Sequence, residues 1–174
     1  MVTITVSVTA PVNNNDNESS TNPPIRLTHD DLWAALLAKA RQPEEFVPQI
    51  EKSTVVREHE DGRGLTRRVL FKGREGEEEL EEVVRFVGKM RVDFHISATG
   101  QSVSNIISHA AAATSGSDLF LTFTFVFPHP EVRDENGEEA KRLEEKYLAL
   151  GREVVPRCID VARRMKVEGR LGLS

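Results

Sequence analysis

The chain has 174 residues, 39% hydrophobic and 29% charged, which suits one globular domain with one sizeable core. Its net charge of −5 argues against nucleic acid or an anionic membrane surface as partner. One cysteine excludes an internal disulfide and a sulfur-based zinc site, and no apolar run approaches the roughly 20 residues that span a bilayer.

Val2, Ile4, Val6 and Val8 alternate with Thr3, Thr5, Ser7 and Thr9, the pattern of a half-buried strand. The basic start and unbroken apolar stretch of a secretory signal are missing, so a cytoplasmic protein is expected and the Asn17-Glu18-Ser19 sequon is idle. Residues 13–24 are polar, low in complexity and end on Pro23-Pro24, which predicts a mobile surface loop. Thr28 is then an N-cap with Asp31 at the third helical position, and the helix runs through Leu32, Trp33, Leu36, Leu37 and Ala40. A short second helix begins on Pro43 and ends before Pro48.

From Lys52 the period changes to two. Strands are predicted at about 52–60 and 64–72, joined by Asp61-Gly62-Arg63-Gly64, and at about 79–87 and 89–97, turning at Gly88-Lys89. Two more fall near 102–110 and 118–127, the last ended by Pro128-His129-Pro130 because two prolines cannot continue a central strand. A helix from about Glu138 to Val167 closes the chain, with a tail at 168–174. Leu143, Tyr147, Leu150, Val154, Cys158, Val161 and Met165 share one of its faces. It is roughly 45 Å long at 1.5 Å per residue, enough to cross a small sheet.

This order of elements resembles the START-like, birch-pollen-allergen-like superfamily (SRPBCC). Its helix-grip fold, of α+β class, wraps a seven-stranded curved antiparallel sheet around a long C-terminal helix, with two short helices after the first strand. The segments Leu27-Thr28-His29-Asp30-Asp31-Leu32-Trp33 and Lys39-Ala40-Arg41-Gln42-Pro43-Glu44-Glu45-Phe46-Val47-Pro48 are similar to the start of its AtaL-like branch, formerly a domain of unknown function. Leu65-Thr66-Arg67-Arg68 is similar to that branch's third strand. The likeness covers about Val2 to Val167. It implies a cavity between sheet and helix for a hydrophobic or amphipathic small molecule, in a fold shared by lipid carriers, hormone receptors, aromatase/cyclases and co-chaperone modules.

The strand alternation sends Met90, Val92, Phe94 and Ile96 toward the helix, and likewise Leu119, Leu121, Phe123, Phe125 and Phe127. Leu80, Val84 and Phe86 share a face with Glu82, and Leu65, Val69 and Phe71 carry Arg67 inward. Eight of the ten aromatics are Phe, a lining suited either to an apolar ligand or to a solid core. The expected ligand-binding set is Arg67, Phe71, Phe86, Phe94, Asn105, Phe123, Phe125, Leu143, Tyr147, Leu150 and Val154.

Arg67, Asn105 and Tyr147 are the polar candidates for catalysis. Arg67 needs an anion, which is either Glu82 or a ligand's carboxylate or phenolate. Tyr147 either meets a ligand or rests with its hydroxyl at the rim, and Asn105 either reacts or satisfies backbone. Asp93 and His95 fall on the outer face, His29-Asp30-Asp31 serves the helix dipole, and Cys158 reads as a small core hydrophobe. No metal or cofactor is expected. Pro156, with Gly151 one turn earlier, predicts a bend that is either static or a hinge for the pocket.

Three functions fit this sequence. The first is a binding protein for a hydrophobic small molecule, monomer or homodimer, without nucleic acid or membrane insertion. The second is a cyclase, dehydratase or isomerase of secondary metabolism, pericyclic cyclisation included, acting on a polyketide- or terpenoid-like substrate that it holds in a reactive conformer. The third is a protein-interaction module, against which the polar outer row of Arg91, Asp93 and His95 speaks.

Overall fold

Alternating apolar and polar residues build seven strands, which pair antiparallel in one curved sheet. They are β1 (Val2–Pro11), β2 (Ile50–Glu58), β3 (Gly64–Phe71), β4 (Leu80–Val87), β5 (Arg91–Ile96), β6 (Gln101–His109) and β7 (Leu119–His129). The order across the sheet is β1-β7-β6-β5-β4-β3-β2, a meander from β2 to β7 with β1 joining β7. The helix α1 (His29–Arg41) and a 3-10 turn (Pro43–Glu45) follow β1, and α2 (Glu138–Val167) closes the fold. The computed structural model describes residues 1–13, 25–73, 78–111 and 118–172. The expected loop at 14–24 therefore lies outside the described residues, as do 74–77 and 112–117.

Local chemistry explains the boundaries. Thr28 caps α1 through a reciprocal box: its hydroxyl accepts from the Asp31 amide, and the Asp31 carboxylate accepts from the Thr28 amide. Asp31 also pairs with Lys166 of α2 at 2.6 Å, tying the start of one helix to the end of the other. Asn13, expected in the mobile loop, is buried, and its side chain clips both backbone groups of Leu27. At the other terminus Arg170 pairs with Glu45 at 2.6 Å.

Gly88 and Lys89 take left-handed conformations with φ of 57° and 53°, the tight turn expected there. The turn extends one residue further than the sequence suggested, so β5 starts at Arg91. Met90 is then a turn residue at 43% exposure rather than an inward one.

Pro128 does not end β7, which continues through it to His129. Pairing with β6 stops at Ser102 and Val126, while β1 continues to pair, Thr3 opposite Pro128. With a neighbour on one side only, the strand tolerates a residue that lacks an N–H.

The inner face of the sheet carries the core: Val2, Ile4, Val6, Val84, Val92, Leu121 and Phe123 are all buried there. Across it lie Leu32, Leu36 and Ala40 of α1 and Val154, Cys158, Val161 and Met165 of α2. At Gly151 α2 approaches the sheet closely. A Cβ there would stand 2.6 Å from Val8 Cγ2 and 3.1 Å from Phe125 Cε2. The glycine expected to weaken the helix is what lets the helix seat against β1 and β7.

Candidate functional site: a cavity between the sheet and the two helices

The two helices do not fill the sheet's concave face. Between the C-terminal end of α1, strands β3 to β7 and the middle of α2 lies a cavity of about 210 Å³. Its apolar wall is Phe94, Phe123, Phe125 and Phe127 from the sheet with Leu150 and Val154 from α2. Half-buried residues at the strand ends and after the 3-10 turn, among them Gln49, Phe71 and Gln101, form its rim. The Gln49 Oε1 atom is buried and has no hydrogen-bond partner among the described residues. The volume falls below the roughly 300–1,000 Å³ of drug-sized ligand sites, so the space suits a compact molecule.

Three charged side chains reach the bottom of this cavity. Arg67 and Glu82 are register partners on β3 and β4, with 2.7 Å from Arg67 Nε and 2.5 Å from Nη2 to Glu82 Oε2. Arg67 Nη1 donates to the Lys39 carbonyl at 3.0 Å and the Ala40 carbonyl at 2.8 Å, satisfying orphan carbonyls in the last turn of α1. Its guanidinium also lies 5.1 Å from the Phe94 ring. Arg67 thus fastens the end of α1 to the sheet and leaves its charge balanced by Glu82.

Lys39 is the third. It is 4% exposed, and its Nζ donates to Asn105 Oδ1 at 2.5 Å. The same nitrogen lies 4.5 Å from the Phe94 ring and 4.6 Å from the Phe123 ring, a cation held between two aromatic faces. Desolvation by burial pulls its pKa down to about 8, helped by the nearby Arg67 charge and opposed by Cys158 and Glu82. Cys158, wholly buried on α2, has its thiol pushed up to about 11 by the same desolvation, so it stays neutral at pH 7.

Of the residues expected from sequence to bind ligand, Arg67, Phe71, Phe94, Phe123, Phe125, Leu150 and Val154 line the cavity. Phe86, Asn105, Leu143 and Tyr147 do not. Phe86 faces inward but under α1, edge-on to Trp33 with ring centroids 6.3 Å apart. Asn105 is fully buried behind Lys39, and its Nδ2 has no hydrogen-bond partner among the described residues. Leu143 packs on the core beyond the cavity.

Tyr147 sits with its ring against Phe127 at 4.5 Å, and its hydroxyl meets His129 Nε2 at 2.8 Å. His129 Nδ1 is 2.6 Å from the Glu131 carboxylate, which can only accept. His129 Nδ1–H therefore donates to Glu131, and its Nε2 shares a hydrogen bond with the Tyr147 hydroxyl. Burial raises the Tyr147 pKa, with the Glu131 charge adding to it.

Asp93 and His95 lie on the outer face as expected, Asp93 bonded to Arg91 and Ser104. His29 stacks on His109, with 3.1 Å from its Nδ1 to Nε2 of the partner ring. Among the described residues no group of three or more His, Cys, Asp and Glu side chains is placed to hold a metal. No helix there is long and apolar enough to cross a membrane.

Lys39 is the charged cavity residue that the sequence reading missed, and Gln49, Ile50, Gln101, Ser102 and Val103 of the lining were not expected either. The signal for Lys39 was present: it follows Leu32 by seven, Ala35 by four and Leu36 by three, which places it on the apolar stripe of α1.

The fold has counterparts among solved structures. The di-domain ARO/CYC StfQ from the steffimycin biosynthetic pathway aligns with a TM-score of 0.61 at 11% identity, over 95% of this chain and 52% of StfQ. The chain thus spans about half the length of that protein. A START superfamily protein from Mycobacterium smegmatis aligns at 0.53 with 14% identity, over 97% of this chain and 96% of the other. XoxI from Bacillus cereus aligns at 0.54 with 14% identity, over 95% and 99%. At such identities the likeness is one of fold. Among curated proteins none matches the chain in sequence. The family described as acetylaranotin biosynthesis cluster protein L, AtaL, matches residues 6–169, nearly the whole chain, and this protein belongs to it.

Proposed function

We propose that this protein binds a hydrophobic or amphipathic small molecule in the cavity between sheet and helices. The observation that carries the reading is the cavity itself. Its wall is made of Phe94, Phe123, Phe125, Phe127, Leu150 and Val154, with a half-buried rim through which a ligand enters. Side chains that only filled a core would close to native density and leave few voids larger than a water. The likeness of fold to a START superfamily protein and to an ARO/CYC protein supports the same reading.

Native mass spectrometry of freshly purified protein tests it. A small molecule that co-purifies and is released on denaturation is expected. Val154→Trp, which places an indole in the cavity, should abolish that adduct while leaving the circular dichroism spectrum unchanged. An adduct that survives the substitution would put the ligand elsewhere, and protein that carries none and takes up no apolar probe would remove the reading.

A second reading, cyclase, dehydratase or isomerase activity on a polyketide- or terpenoid-like substrate, is favoured by the Lys39 amine. Arg67, Asn105 and Tyr147, the polar candidates from sequence to polarise a carbonyl, are each already engaged, by Glu82, Lys39 and His129 respectively. Among the described residues, Lys39 alone of the four combines a place in the cavity wall with no carboxylate partner of its own. With its pKa near 8 it can donate a hydrogen bond to a developing oxyanion or take a proton. Product distributions from a poly-β-keto thioester, with parent protein and with Lys39→Met, decide this. Identical distributions would leave binding as the function.

A further inference from the structure

The charge inventory of the cavity is unbalanced. Lys39 and Arg67 bring two positive groups, Glu82 brings one negative group, and that carboxylate is within 2.7 Å of Arg67 Nε and directed at its guanidinium. The remaining polar neighbours of Lys39 are neutral: the Asn105 amide oxygen and the Cys158 thiol, which stays protonated up to about pH 11. Among the described residues, an ammonium at 4% exposure, with one hydrogen bond and two aromatic faces, is short of a counter-charge. Burying such a charge without an anion is costly, and the cost is removed when the anion arrives with the ligand.

We infer that the cavity selects ligands that join a compact apolar body to a single anionic oxygen group, a carboxylate or an acidic phenol or enol, with Lys39 as the residue that receives the anion. This rests on the reading of the cavity as the binding site. The apolar body would lie against Phe125, Phe127 and Leu150 toward the rim. Arg67 is not the receiver, since its Nε and Nη2 face Glu82 and its Nη1 is held by two backbone carbonyls. Lys39 lines the cavity, and its Nζ, hydrogen-bonded to Asn105, lies close to the Phe94 and Phe123 rings. Neutral and cationic ligands of the same shape would meet the same walls without relieving the charge.

Three bicyclic probes of matched size test this: 2-naphthoate, 2-naphthamide and 2-naphthylmethylammonium, titrated by calorimetry into the full chain at pH 7. The carboxylate is expected to bind at least about tenfold more tightly than the amide, the order of one charge-assisted hydrogen bond in a desolvated site. The cation should bind least. In Lys39→Met, which keeps length and apolarity, the preference for naphthoate over naphthamide should vanish while the amide still binds.

A readout in the unmodified protein stands independently of that variant's folding. Naphthoate affinity should fall as pH rises above the Lys39 pKa, while naphthamide affinity stays level. The charged and titratable groups facing Lys39 are Arg67, Glu82 and Cys158, and the Cys158 thiol ionises only at higher pH.

Equal binding of acid and amide, or a preference that survives Lys39→Met, would overturn the assignment and leave the cavity as a neutral apolar site. Failure of all three probes to bind would instead remove the cavity as the binding site and this inference with it.

Discussion

Arg67 and Glu82 face each other across β3 and β4 as register partners, 15 residues apart in sequence, with both side chains buried and 2.7 Å between Nε and Oε2. The pair is also a joint between layers, because the other end of the guanidinium holds the last carbonyls of α1. Removing either partner strands a buried charge. Glu82→Gln or Arg67→Met should therefore each cost about 3–5 kcal/mol in urea denaturation. The double variant Arg67→Met with Glu82→Leu removes both charges and should recover most of that loss. Single variants that cost less than about 1 kcal/mol would mean that water already reaches the pair.

The cost of Lys39 should appear in the pH dependence of stability. Its pKa is about 8 when folded and about 10.4 when unfolded, so between those values the unfolded chain binds more protons. Stability therefore rises with pH across that window, by up to about 3 kcal/mol, as the amine sheds the charge that burial penalises. Below pH 8 both states are protonated and the penalty is constant. Cys158 acts in the opposite sense: its folded pKa of about 11 lies above the unfolded value, so ionisation of the unfolded thiol erodes stability above about pH 8.5. The two overlap, and the clean comparison is made in a Cys158→Val background. There the stability measured at pH 7.5, 9 and 10 should climb, and adding Lys39→Met should flatten it.

Much of the fold is legible from alternation and capping alone. The row Leu119, Leu121, Phe123 and Phe125 is buried as its period of two demands, and Thr28 caps with Asp31 as a reciprocal pair. The ion pair of Arg67 with Glu82, one of two readings open from sequence, is the one the structure shows. What a strand period cannot say is which part of the inner face the second layer covers. Phe86 and Phe94 belong to inward rows on adjacent strands, yet α1 covers the first and leaves the second to the cavity. Tyr147 lies on the inner face of α2, but the strand continues through Pro128 and brings His129 to its hydroxyl. Lys39 was hidden for another reason. A lone lysine near the end of a helix reads as dipole compensation, and only its spacing from Leu32 and Leu36 marks it as buried.

Gly151 offers a test of the close seating of α2. Alanine in a helix interior is ordinarily about 1 kcal/mol better than glycine. Here the added methyl would meet Val8 Cγ2 at 2.6 Å and Phe125 Cε2 at 3.1 Å. Gly151→Ala should therefore destabilise by about 1–3 kcal/mol despite the gain in propensity. Combined with Val8→Ala, which removes the nearer obstacle, it should cost much less than the sum of the two single changes. Additive losses in that double-mutant cycle would place the strain at Phe125, on the cavity wall.

Pro156 sets the last prediction. It lies on the exposed side of α2, and so does Arg152, the residue whose carbonyl it leaves without a helical donor. Water can serve that carbonyl, and α2 runs unbroken from Glu138 to Val167 through the proline. Pro156→Ala supplies the missing amide and removes the ring, so stability should rise by about 1–3 kcal/mol, at or below the propensity difference between the two residues. If the proline only fits the helix to the curved sheet, the dissociation rate of bound 2-naphthoate should stay as in the parent. Stopped-flow displacement by excess unlabelled ligand measures that rate directly. Slower release from the more stable variant would make Pro156 the hinge by which the N-terminal half of α2, with Leu150 at the rim, opens the cavity.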